Sequence, residues 1–422
     1  MKNKALERFE LDNAGKIFPG QNTRTWANVF RIAVDLKEEI DPDILLIALK
    51  DTLRRIATFD VRLKNGFFWN YLEKNLEIVN VSPDIDHFGY SIKYKKDNGY
   101  LIRVYYKGCR ISLDTFHAVS DGYGCTVFLC TMAARYLQLK GVDTGFGGMV
   151  LNTEDTPSKT EREDAFLRFA SSAAKYSRAD KGAYHWKGEP LPPHTFNYTG
   201  YTMSFSQVHK IAKGYGATVT ELFAAMIIDI LYRKQLREEK TQREVSAQVP
   251  VNLRKFYPTD TLRNFVLCLK VKIDPMKGEY TFEEILKRVS YQLRLANDEK
   301  EVNALMTKNV RLEKNPAMKY LPLAIKNAAV NLSFRLTREH TTSALVSNIG
   351  AVALPDGMKE HIEKFMFYTG VGKKNGTRCG VMGFGDKLTF TFSNCFKEKD
   401  VEIEFRKRLS EMGVEAEVET NN

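Results

Sequence analysis

"FHAVSDGYG", residues 116–124, joins two segments of different period. Before it, "RVYYKGCRISLDT" (103–115) alternates as a strand does, and after it "CTVFLCTMAARYLQLK" (125–140) reads as a helix. His117 therefore stands at a strand end, with Asp121 four residues on and Gly122 five on. Imidazole is the usual side chain for a base with a lone pair near neutral pH. A strand end holds its backbone better than a free loop. Asp121 could orient the ring or brace the turn. Gly122 and Gly124 are permissive sites before the helix. A base in a built turn and a plain loop histidine beside an Asp-Gly turn both fit these residues. A Ser120–His117–Asp121 triad fits poorly, because the three lie within five residues and no "GxSxG" elbow occurs. No neighbouring His, Cys or Glu completes a metal site with His117 and Asp121, so no metal is expected.

Outward from the turn, the grammar is strand, helix and hairpin. "TWANVFRIAVDL" (25–36) reads as a strand, and "DPDILLIALKDTLRRI" as a helix with Asp41 as cap and Pro42 at its first position. "FDVRLKNGFFWNYL" reads as a hairpin turning at Asn65-Gly66, and a second hairpin turns at Lys107-Gly108. Residues 141–200 are richer in Gly, Thr, Pro and charge, and "KGEPLPPHT" carries three prolines in nine residues. The second half repeats the grammar. "TVTELFAAMIIDILYRKQ" is a helix capped by Thr218 or Thr220, and "VSAQVPVNLR", "NFVLCLKVKI", "SALVSNIGAV", "KFMFYTGV" and "RCGVMGFGDKLTFTFSNCF" supply strands before a closing helix. The class is α/β (α+β), with a mixed sheet flanked by helices in each of two lobes. The expected division is an N-terminal lobe at 1–145, a connection at 146–195 and a C-terminal lobe at 196–422.

Length and composition agree. At 422 residues the chain exceeds one typical core. Its net charge of +11 is scattered among Asp and Glu rather than gathered in a basic tract, which argues against a nucleic-acid partner and suits an anionic small molecule. The six cysteines show no paired spacing, the mark of free thiols in a reducing, cytoplasmic setting. No apolar leader and no run long enough to span a bilayer is present, so no stable membrane insertion is expected.

"FHAVSDG", taken with "VPVNLRKFYP" (249–258), "TLRNF" (261–265) and "SNIG" (347–350), resembles the coenzyme A-dependent acyltransferase superfamily. That superfamily holds chloramphenicol acetyltransferase, condensation domains, wax ester synthases and alcohol acetyltransferases. "FELDNAGKIFPG" and "LKNGFFWNYLEKN" add likeness to condensation-like, alcohol-acetyltransferase-type proteins of bacteria. The resemblance covers nearly the whole chain. It implies two chloramphenicol-acetyltransferase-like lobes meeting at a tunnel, with His117 as the base at its centre. His117 matches the second histidine of the family's H-H-x-x-x-D-G, and Phe116 departs from the pattern at the first. Asp121 then becomes a structural residue paired with Arg254, and Gly122 the turn glycine. Ser347 and Asn348 become candidates for contacts to substrate or oxyanion. Thr389, Thr391 and Ser393 share one face of "TFTFSN" and could line the tunnel or face solvent. Tyr123 would shape the tunnel mouth or fill the core.

The implied activity is acyl transfer from a thioester, acyl-coenzyme A as cosubstrate, to a small-molecule alcohol or amine without an acyl-enzyme. The alternatives are a condensation-type enzyme using donors on an acyl carrier protein, a non-catalytic binding or scaffolding member, and a wax-ester-type membrane-associated enzyme, for which an exposed apolar helix is the feature to seek. Two internal lobes remove the need for a trimer and allow a monomer or a dimer.

Overall fold

The computed structural model describes residues 7–22, 27–84, 98–173, 182–192, 195–240, 242–333, 341–371 and 376–421. Thr25 and Trp26 of the first expected strand, and Pro193 and His194 of the proline-rich stretch, lie outside them. The N-terminal elements are β1 (Arg8–Glu10), α1 (Phe18–Gln21), β2 (Val29–Leu36), α2 (Pro42–Arg55), β3 (Val61–Asn65), β4 (Asn70–Lys74), β5 (Val81–Pro83), β6 (Ile102–Lys107), β7 (Arg110–Phe116) and α3 (Gly122–Leu139). Asp41 caps α2 by accepting from the Asp43 and Ile44 amides, with Pro42 at the first helical position. The turn between β3 and β4 is longer than the expected Asn65-Gly66 pair. Asn65 faces Asn70 in register, and the Gly66 amide donates to the Trp69 carbonyl, so Phe67 and Phe68 form the tip.

A short helix, α4 (Ala165–Phe169), lies in the connection. Then come β8 (Asn197–Ser204), α5 (Phe205–Gly214), α6 (Val219–Glu238), β9 (Val245–Asn252), β10 (Val266–Ile273), α7 (Phe282–Ala296), α8 (Glu299–Lys314), α9 (Pro316–Lys319), α10 (Leu323–Ser333), β11 (Ala344–Ala351), α11 (Asp356–Lys359), β12 (Ile362–Tyr368), β13 (Thr377–Phe384), β14 (Lys387–Asn394), α12 (Asp400–Glu411) and β15 (Ala416–Thr420). Thr218 caps α6 in a capping box with Glu221. The expected closing helix is followed by a strand, because β15 pairs with β8 and covers that edge of the sheet. Helices α8, α9 and α10 have no counterpart among the expected elements.

Two mixed sheets carry the architecture. One has five strands in the order β12-β2-β7-β6-β5, the other seven in the order β10-β9-β11-β13-β14-β8-β15. A third, small sheet is β1-β4-β3. In the first sheet α2 and α3 pack together, and α3 covers β2 and β7. In the second, α6 and α7 cover β9, β10 and β11. Each sheet has its own buried cluster. β12 crosses between the two halves of the sequence, since it pairs antiparallel with β2 and packs on β13 and β14. The Thr389 hydroxyl donates to the Phe365 carbonyl at 2.8 Å, and the Thr391 hydroxyl to that of Phe367. A Cβ at Gly380 would stand 1.9 Å from the Phe367 carbonyl oxygen, so glycine alone permits this approach.

Candidate active site

The site is a turn with two differently employed ends. β7 finishes at Phe116, buried and opposite Val29 in register. α3 starts one residue after Asp121, whose Oδ1 caps it by accepting from the Gly124 amide at 3.1 Å. Between them His117 donates its backbone amide to the Asn28 carbonyl at 2.8 Å. Its ring stacks on Phe18 at 4.5 Å between centroids and meets Phe30 edge-on at 5.0 Å.

Asn264 determines the proton's place on that ring. Its Nδ2 donates to Asp12 Oδ2 at 3.1 Å and to the His117 carbonyl at 3.0 Å. A flipped amide would set oxygen against both acceptors. Oδ1 therefore faces His117 Nδ1 at 2.9 Å, and Nδ1 carries the hydrogen. Nε2 then holds the lone pair, and no described residue hydrogen-bonds it. The surrounding atoms desolvate the ring and push its pKa below the usual histidine value, although hydrogen bonds and the charges of Asp121 and Asp12 pull the other way. The ring is thus neutral and basic at Nε2 near pH 7.

Asp12 is fully buried. It also accepts from the Gly15 amide at 2.6 Å and lies 3.6 Å from the Arg263 guanidinium. Burial, then the charge of Asp12, raises nearby Asp164 to about 6.

At the other end, Asp121 is closed on every side. Its Oδ2 accepts from Arg254 Nη1 and from the Phe265 amide, both at 2.8 Å. Arg254 lies in a single 3-10 turn after β9, and its remaining nitrogens donate to the carbonyls of Thr261 and Arg263. Its guanidinium lies 4.6 Å from the centre of the Tyr123 ring. The Ser120 hydroxyl donates to the Leu262 carbonyl at 2.5 Å. The structure thus brings Asp121 and Arg254 together as a buried pair that ties residues 120–124 to residues 254–265. Among the described residues Asp121 makes no hydrogen bond to His117. The glycines serve space rather than backbone angle, since neither has a positive φ. A Cβ at Gly124 would stand 2.1 Å from the Leu262 carbonyl oxygen, and one at Gly122 would press on Ile349 at 3.0 Å.

β11 ends beside this turn. Ile349 lies against Gly122 at a register shift between Asn348 and Gly350, and Ser347, earlier on the strand, is partly exposed. Asn348 points the other way. Its Nδ2 donates to the Thr220 hydroxyl at 2.9 Å, and its Oδ1 accepts from the Gly350 amide at 2.8 Å. Thr389, Thr391 and Ser393 are all buried, which removes the solvent-facing alternative. The two threonines stitch β14 to β12, and the Ser393 hydroxyl is buried without a described partner.

No protein-family profile and no curated protein matches the chain in sequence. Solved structures do match. Polyketide synthase associated protein 5 from Mycobacterium tuberculosis shares 14% identity at TM-score 0.59, over 97% of this chain and 98% of that one. TRI101 of F. graminearum, solved with coenzyme A and deoxynivalenol, shares 11% at TM-score 0.63, over 97% and 99%. The starter condensation domain of rhizomide synthetase RzmA, solved with C8-CoA and Leu-SNAC, shares 11% at TM-score 0.57, over 96% and 93%. The fold is that of the two-lobed acyltransferases and condensation domains. In this fold the turn at 117–121 sits where residues from both halves of the sequence converge.

Asn264, Asp12, Phe18 and Phe30 shape His117, yet no local pattern in the sequence marks them as site residues. Asn264 lies two residues before β10 and Asp12 in a short irregular segment, 105 residues or more from His117 in sequence. "TLRNF" and "FELDNAG" carry them, but only proximity in space assigns their roles. Among the described residues no cluster of three or more His, Cys, Asp or Glu is placed to hold a metal ion.

Proposed function

We propose that the protein transfers an acyl group from a thioester to an alcohol or amine, with His117 as general base. The observation that carries this is the state of the His117 ring. Asn264 takes its Nδ1 hydrogen, burial keeps it neutral, and Nε2 is left with a lone pair and no described partner. The fold supports the same reading, because several proteins that share it are acetyltransferases and condensation domains, and two were solved with coenzyme A or C8-CoA.

In this mechanism Nε2 removes the acceptor's proton as its oxygen or nitrogen attacks the thioester carbonyl. The carbonyl becomes a tetrahedral oxyanion. Of the two β11 candidates, Ser347 is proposed as the donor to it, since Asn348 is held by Thr220 and Gly350. The carbon–sulfur bond then breaks, and the imidazolium returns its proton to the departing thiolate. Holding both substrates in line across the lobes supplies much of the rate. Acyl-coenzyme A is the proposed donor, and a carrier-protein thioester is the alternative.

The test is release of free thiol from acyl-coenzyme A in the presence of a panel of alcohols and amines, with acyl product confirmed by mass. Wild type should release thiol with at least one acceptor, and His117→Ala should not. Acyl transfer by folded His117→Ala at the wild-type rate would end the proposal. Transfer only from carrier-bound donors would favour the condensation-type reading.

A further inference from the structure

Helices α9 and α10 and the β3–β4 tip form an open surface that the acyl-transfer site does not use. On α10, Ile325, Ala328, Ala329 and Leu332 recur at helical spacing, and all four are exposed. Ile325 is 53% and Leu332 57% exposed. The hairpin tip adds Phe67, 73% exposed, and Tyr320 adds an aromatic ring at 62%. These parts are fastened together. The Leu323 amide donates to the Phe67 carbonyl, and Lys326 lies 3.6 Å from the centre of the Trp69 ring while donating to the carbonyls of Phe68 and Lys319.

Single exposed apolar residues are ordinary, but a joined set this large is not. The segment beside it is basic, with the preceding Glu313 already held by Lys16 and Asn13. Residues 314–333, "KNPAMKYLPLAIKNAAVNLS", hold three lysines and no carboxylate, and Lys314 and Lys319 are exposed beside the apolar set.

We infer that this surface docks the protein onto an anionic lipid bilayer, with Phe67, Tyr320, Ile325 and Leu332 in the headgroup layer and Lys314 and Lys319 against lipid phosphates. An apolar helix face flanked by lysines, with aromatic rings at its border, is what interfacial binding requires. An acidic protein partner fits less well. Such a partner needs a shaped groove or rim to set its register, whereas these side chains stand on a hairpin tip and an open helix face. Docking of this kind needs no spanning segment, and among the described residues no single helix is long and apolar enough to cross a membrane. The surface also borders a shallow open depression between α10 and α1, lined by Pro19, Gly20, Ala328 and Leu332 among others. Phe18, next along α1, stacks on His117. A docked molecule would thus turn the His117 side toward the lipid.

The test is flotation of the purified full chain with phosphatidylcholine vesicles, with and without phosphatidylglycerol. The chain should float with the anionic vesicles and be released by salt. Ile325→Glu/Leu332→Glu should lower the bound fraction about tenfold, with unchanged circular dichroism and unfolding midpoint. Phe67→Ser, at a hairpin tip, is a second variant that should weaken binding even if the double variant misfolds. Lys314→Glu/Lys319→Glu should abolish the preference for phosphatidylglycerol. Failure of wild type to float, equal flotation by the folded variants, or capture of an acidic carrier protein without vesicle binding would overturn the inference. None of these readouts uses acyl transfer, so the result stands apart from the function proposed above.

Discussion

His117 and Asp121 lie four residues apart in one turn, and their surroundings are opposite. Both oxygens of Asp121 are engaged, by an arginine and two backbone amides, inside a closed pocket. His117 has one nitrogen engaged and one free of described partners, with two phenylalanines against its ring. A polar group with every hydrogen bond made is a fastener. A basic nitrogen held in place with its lone pair unused is available to a proton. The turn therefore sets a closed ion pair and an unused lone pair within five residues, and each of its ends can be broken alone.

The largest expected effect is on turnover. His117→Ala should lower kcat about 10²–10⁴-fold, the usual share of a general base, while leaving the thermal midpoint near that of wild type. In wild type, protonation of His117 should switch activity off, so kcat/KM should fall on the acid side with an apparent pKa below the ordinary histidine value of 6.5. Stability carries the same sign. The unfolded chain binds the His117 proton more readily, so this residue's contribution is complete above about pH 6.5. It declines as pH falls from there toward the depressed folded value. Urea unfolding of wild type and His117→Ala across that range would show it.

The opposite end should break the other way. Arg254→Ala leaves Asp121 charged and buried, which costs about 3–5 kcal/mol for a pair this enclosed. The loss should appear in denaturant unfolding. A variant of unchanged stability would remove the fastening role from this pair.

Asn264 connects the two ends and sharpens the comparison. Asn264→Ala should lower kcat about 10²-fold, because the ring loses its preferred tautomer and aim. It should also move the acid limb to lower pH, since the Asn264 hydrogen bond raises the His117 pKa. A merely structural asparagine would leave that limb in place. The smallest effect is expected for Gly124→Ala. Its methyl would meet the Leu262 carbonyl, and the strain should cost about 1–3 kcal/mol with little change in rate per folded molecule.

Much of this was legible in residue order. Alternation up to Phe116 and the apolar helix after Gly122 place the turn between a strand and a helix. Asp41-Pro42 and Thr218 mark helix starts because caps act through the nearest backbone amides. Other elements were missed. α8 buries Val302, Met306 and Val310 at helical spacing, a stripe that the reading passed over, whereas α10 turns an apolar face outward, so a rule that buries apolar faces reads it badly. The β3–β4 tip deceived for a related reason. Asn65-Gly66 has the chemistry of a two-residue turn, yet Phe67 and Phe68 extend the loop.

The sequence by itself determined the local grammar and the kind of side chain at the turn. Those depend on period, caps and glycine, which act within a few residues. The tertiary structure alone decided which nitrogen of His117 carries the lone pair. That depends on Asn264 and Asp12, far away in sequence. A proton's position is set by neighbours in space, and no spacing along the chain records them.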